Sequence, residues 1–303
     1  MRYRNFKLKN SLDQTYELTD QNFKRFFNSP KGLGFKKNIT GIRIGNRFKT
    51  TKREYEFPQP SGELLFYDYN NEQTYDSYSE FIRFASFYPL RLYYYTPSFD
   101  KTEDEANSLY LKCEIIVGDK TEISRNDNAL HVPITFKGSS FWMSGRESNY
   151  IVDLDNIGDS EFTFPLSFPF SFGTDPLRNI VLSNNGTLPA PVTFVITGSC
   201  TNPYIRLYDK DYVEYGSSKI IGTYDYVKVS AEEDDEQIIL ENNGIAVPNA
   251  INKQDLTIGN EIIDDYYLTF LKLKPGMTYA TVNFENNFTG TISLSWRDEY
   301  ISY

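Results

Sequence analysis

Only one histidine, His131, occurs in the 303 residues, so any Ser-His-Asp or Cys-His relay would have to be built on it. It lies in the alternating run ALHVPITF, where a strand sets one ring nitrogen against backbone or in solvent. No Gly-x-Ser-x-Gly elbow is present to supply a nucleophile. The two thiols, Cys113 and Cys200, stand apart from His131, and one His with two distant Cys does not make the usual zinc ligand set. Both cysteines are expected to be reduced, buried small hydrophobes rather than a disulfide. The segment DLDNIGDSE, Asp153 to Glu161, spaces carboxylates as a calcium loop does and has Gly158 at its sixth position. Ile157 at position five and Phe164 at position twelve offer no side-chain oxygen, so an EF-hand is excluded while a looser cation site and a solvated turn both stay open. The acidic run AEEDDEQ, Ala231 to Gln237, reads as an exposed loop. Among 41 Asp and Glu some pair falls by chance at the roughly 5–10 Å that glycoside hydrolysis needs, so abundance alone carries nothing. Gly32 and Gly34 in GLG lack both the Lys-Ser/Thr of a P-loop and the G-x-G-x-x-G spacing. Trp142 and Trp296 are compatible either with core packing or with a sugar-stacking platform. No catalytic residue, cofactor site or metal site emerges.

What remains is a chain built to make surfaces. Aromatic residues reach 16%, with 24 Tyr and 23 Phe, an excess of strand-favouring types. Residues 12 to 28 suggest an opening strand pair, and SPKGLG at Ser29 to Gly34 is a turn-rich loop. From Ile39 to Tyr55 the pattern alternates, with Ile42, Ile44 and Phe48 apolar. One helix is expected within Asn70 to Pro89, with Tyr78, Phe81, Ile82 and Ala85 as its apolar stripe and Asp76 or a neighbouring polar residue as its cap. Strands LRLYYYTP, LYLKCEIIVG and ALHVPITFKGSSFW follow, giving an N-terminal α+β domain with the helix on one side of an antiparallel sheet. Past SGRESN, Ser144 to Asn149, nearly every segment reads as a short strand with turns at the spacing of an all-β sandwich. Length also predicts two domains, placed at 1–147 and 148–303.

Charge is unevenly spread. Residues 1–53 carry 14 Lys or Arg against 3 Asp or Glu, whereas residues 151–303 carry 9 against 22. The acidic second half opposes general DNA binding there. In Lys36 to Arg53 cations alternate with apolar residues, which fits the solvent face of a strand or a surface for an acidic partner. The opening MRYRNFKLKN lacks the apolar stretch of a signal peptide and no window approaches a membrane span, so folding in a cytoplasm is expected and the Asn-x-Thr triplets at Asn38, Asn185 and Asn287 lose their glycosylation meaning.

The order of motifs is itself informative. FTFPLSFPFSFG (Phe162 to Gly173), NNGTLPAPVTFVITG (Asn184 to Gly198), TNPYI (Thr201 to Ile205) and the closing LKLKPGMTYATVNF and GTISLSWRDEY resemble the C-terminal half of the distal tail proteins of long, non-contractile-tailed phages. Gly32 to Gly34, the single helix before an Arg-Leu-Tyr-Tyr-Tyr strand, and Phe141-Trp142 resemble the N-terminal half. That resemblance implies a mainly β protein: an N-terminal antiparallel sheet or split barrel with one helix, and a C-terminal β-sandwich of the galectin-like jelly-roll kind. It further implies a structural, non-enzymatic hub at the phage tail tip, made in the host cytoplasm and carried in the virion. Its N-terminal domains would form a ring, typically of six copies, around a channel through which genomic DNA passes without specific binding. Expected partners are the tail tube protein, the tail-tip or tail-associated protein and receptor-binding proteins, with no membrane. An alternative is a carbohydrate-binding tail protein that touches the host surface through its C-terminal sandwich, with Trp296 as the stacking residue.

Overall fold

The computed structural model describes residues 5–19, 25–68, 70–95, 108–124, 128–154, 180–232, 237–246, 257–258, 261–262 and 270–302. They fall into two compact units, Met1–Arg146 with Glu299–Tyr303, and Glu147–Asp298. The run Phe162 to Gly173, most of the Asp153–Glu161 segment and the centre of AEEDDEQ lie outside the described residues.

The first unit runs β1 (Asn5–Lys9), β2 (Thr15–Glu17), β3 (Arg25–Lys31), β4 (Lys36–Ile44), β5 (Arg47–Glu56), β6 (Ser61–Phe66), α1 (Asn71–Ala85), β7 (Leu90–Tyr95), β8 (Leu109–Gly118), β9 (Leu130–Gly138) and β10 (Trp142–Ser144). Antiparallel pairing orders the main sheet β2-β1-β7-β8-β9-β6-β3. Its two ends are brought together by a bridge between Thr19 and Phe26 and by the Phe27 N–H donating to the Leu18 carbonyl at 2.9 Å, so the sheet curls into a split barrel. Closure of this kind satisfies edge groups that an open sheet would expose. Strict alternation in β9, LHVPITFKG, sends Leu130, Val132, Ile134 and Phe136 inward. They join Phe6, Leu8, Phe27, Leu64, Phe66 and the fully buried Trp142 in one core.

Asn70 starts α1, its side chain accepting from the Gln73 N–H at 2.9 Å, and Pro89 disfavours helical geometry just beyond its end. Asp76, which the sequence offered as a cap, lies inside the helix. Phe81 and Phe84 are the buried apolar residues and Tyr78 packs beside them, while Ile82, expected on the same stripe, points to solvent.

The second unit runs β11 (Ser148–Asp153), β12 (Ile180–Asn184), β13 (Ala190–Thr201), β14 (Tyr204–Tyr208), β15 (Glu214–Lys219), β16 (Thr223–Ser230), β17 (Gln237–Asn242), β18 (Ile245–Ala246), a short pair β19 (Thr257–Ile258) and β20 (Glu261–Ile262), then β21 (Lys272–Leu273), β22 (Gly276–Asn283) and β23 (Thr291–Trp296). One sheet has the order β11-β23-β13-β16-β17-β18, with β21 also on β13, and a second has β12-β22-β14-β15. Phe194, Ile196, Val227, Val229, Ile292 and Leu294 from the first meet Ile180, Leu182, Ile205, Leu207 and Val282 from the second in a shared core, which is the expected β-sandwich. The chain does not end there. β24 (Glu299–Tyr300) pairs with β10, Trp142 opposite Tyr300, so the last strand belongs to the first unit, whereas a second domain of 148–303 was expected from the sequence.

Candidate assembly surface

β4 and β5 form a two-stranded sheet of their own, turned at Gly45 in the left-handed region (φ 60°) and separate from the barrel among the described residues. The arm springs from a fixed base. The carbonyls of Pro58 and Pro60 accept from Gly138 at 3.0 Å and Phe136 at 2.8 Å, tying the chain just after β5 to β9, and Phe57 packs edge-on against Phe141. On the other side Gly32 (φ 72°) passes so close to Gln59 that a Cβ would lie 2.2 Å from its carbonyl oxygen, which accounts for the glycine.

Register fixes what each face of the arm carries, because cross-strand partners share a face and neighbours along a strand do not. One face bears Lys36, Asn38, Thr40, Ile42, Lys49, Lys52, Glu54 and Glu56. Its acids are neutralised locally: Glu56 meets Lys36 at 2.7 Å and is hydrogen-bonded by Asn38, and Glu54 meets Lys52 at 2.5 Å. The Lys36 hydrogen bond, with the Asn38 amide next, holds the Glu56 carboxyl below its ordinary range. The opposite face bears Lys37, Ile39, Arg43, Phe48, Arg53 and Tyr55, with no acid. Here Phe48 lies over Gly41, whose missing Cβ would stand 2.6 Å from the ring, and Phe35 meets Tyr55 edge-on at 5.9 Å. Phe48 is 61% exposed and Ile39 55%. Apolar and cationic residues on an arm that buries neither face within its own unit form a surface suited to cover by another molecule. The alternation of cations and apolar residues in Lys36 to Arg53 fits the solvent face of a strand or a surface for an acidic partner, and its lysines and arginines occupy both parities because neither face is internal.

The residues weighed for chemistry are scattered. His131 is half-buried on β9 with Nδ1 3.1 Å from the Glu63 carboxylate of β6. Cys113 and Cys200 are free and buried in separate units, and burial pushes their thiols up to about 12 and about 11, so neither is a thiolate at neutral pH. Trp142 and Trp296 are both core residues, which removes Trp296 as a sugar platform. Among the described residues no three His, Cys, Asp or Glu side chains group as metal ligands, and no helix is long and apolar enough to cross a membrane.

Residues 5–139 match the family model described as the distal tail protein, N-terminal domain. In fold the chain is similar to a protein of the phage P2 baseplate in its activated conformation, solved with calcium (14% identity, TM-score 0.59) and with strontium (15%, 0.59), each match covering 100% of both chains. It is also similar to the SPP1 Dit protein, described as a paradigm of the hub adsorption apparatus of phages infecting Gram-positive hosts, at 12% identity and TM-score 0.59 over 97% of this chain and 98% of that one. No curated protein matches it by sequence.

Proposed function

From the match of residues 5–139 to the distal tail protein N-terminal domain we propose that the whole chain is a structural hub of a phage tail tip, without enzymatic activity. Its place is the virion, where copies form a closed ring, of six by likeness to the family, through their N-terminal units. The ring joins the tail tube to tail-tip and receptor-binding proteins and leaves a channel for the genome. One observation carries the reading: the exposed, acid-free face of the β4–β5 arm, with Ile39, Phe48, Lys37, Arg43 and Arg53, on a chain whose remaining residues are strongly acidic. An arm on one copy that meets a different surface on the next is a heterologous contact, and such contacts close into rings when the rotation permits.

Negative-stain imaging and mass measurement of the purified chain test it. Closed rings are expected from the native sequence and folded monomers from the double variant Ile39→Asp with Phe48→Asp. A native chain that stays monomeric at high concentration, and that no tail-tip protein recruits, would overturn the proposal.

A further inference from the structure

Tyr212 is the oddest residue of the second unit. It sits at the tip between β14 and β15 with φ 59°, a left-handed conformation that a bulky side chain rarely adopts, and is nevertheless 67% exposed. Strain of this kind persists only where surrounding bonds over-determine it. Here they do. Asp209 accepts the N–H of Asp211 at 2.9 Å and of Val213 at 3.0 Å on one carboxylate oxygen, and its own backbone closes the turn with Tyr212 and Val213 at 3.0 Å each.

The outcome is a placed aromatic ring. Tyr212 stacks on Tyr279 of β22 with centroids 4.7 Å apart and planes 17° from parallel, so one face of Tyr212 rests on Tyr279 and the other stays open. Tyr279 is flanked in register by Tyr208 of β14 and Val181 of β12, and Met277 lies two residues along on the same face. Val181 and Met277 are exposed too, extending the flat apolar floor, and exposed Lys210 and Asp211 beside Tyr212 offer a donor and an acceptor.

We propose that this platform binds a neutral saccharide, a pyranose laying its C–H face on the open side of Tyr212 while Lys210 and Asp211 meet its hydroxyls. A flat, electron-rich ring set rigidly beside polar groups suits a ligand that is apolar on one face and hydroxylated at its rim. Charge selects a neutral polymer, because 22 Asp and Glu against 9 Lys and Arg over residues 151–303 repel a polyanion such as a phosphate-linked chain. The inference is independent of ring formation, which depends on the first unit.

Saturation-transfer NMR on the full chain with neutral oligosaccharides of glucose, galactose, rhamnose and N-acetylglucosamine, beside a polyglycerol phosphate, is the test. At least one neutral oligosaccharide should show transfer, the polyanion none, and Tyr212→Phe should keep the affinity within about twofold. Tyr212→Gly should weaken binding at least tenfold while the thermal midpoint holds or rises, because glycine is at ease with a positive φ. The proposal fails if no neutral oligosaccharide binds, if the polyanion binds as well, if Tyr212→Gly still binds, or if Tyr212→Gly instead changes the oligomeric state, which would make the platform a protein contact.

Discussion

At the scale of single residues, two kinds of constraint stand out, close approach and local charge. Gly198 (φ 124°) and Gly290 (φ 137°) face each other where β13 and β23 meet, and a Cβ on Gly290 would lie 2.1 Å from the Thr197 carbonyl oxygen. Gly290→Ala combines a backbone clash with a strained φ, so a loss on the order of 2–3 kcal/mol is expected in urea unfolding of the second unit, with Gly34→Ala, which meets nothing, near neutral. Glu56 shows the charge effect. Its folded carboxyl is held below the ordinary glutamate value of 4.5, so its contribution to arm order is complete above that value and is lost only as pH falls through the lower folded one. A carbon-detected NMR titration should give Glu56 a midpoint below 4.5, and Lys36→Ala should return it toward that value.

Among the elements, α1 separates pattern from burial. Phe81→Ala removes a ring wedged against Phe66 and Tyr16 and is expected to destabilise the first unit by about 3 kcal/mol or more, whereas Ile82→Ala should change it by less than about 0.5 kcal/mol. Thermal or urea melts of the two variants side by side check this. The sequence shows the helix itself plainly, since Asn70 and the 3.6-residue repeat of Tyr78, Phe81 and Ala85 are local. It does not show which of Ile82 and Phe84 turns inward, because that depends on where the barrel wall stands. The strands of the sandwich are legible for the same local reason, Tyr204 to Tyr208 to the residue. Partnership between strands is not: β21 joins β13 across some 80 residues, and nothing in Lys272–Leu273 announces it. The surfaces were hidden further still. Trp296 drew notice by type, yet the sandwich buries it, whereas the exposed ring is Tyr212, one tyrosine of 24 whose distinction is a turn held by Asp209.

For the molecule as a whole, charge distribution makes assembly answerable to salt. Exposed ion pairs are screened over about 10 Å at 0.1 M, so if the cationic face of the arm docks on an acidic neighbour, rings followed by light scattering should dissociate progressively as salt rises. Rings indifferent to salt would assign the contact to Ile39 and Phe48 alone. The pairing of β10 with β24 has a consequence for the order of biosynthesis. A nascent chain can begin its barrel early, but the edge offered by Trp142 and Met143 waits for Glu299 and Tyr300, more than 150 residues later. A chain that stops short of Glu299 therefore carries that edge unpaired and open to a wrong strand, so the stitch between β10 and β24 ties completion of the first unit to synthesis of the second.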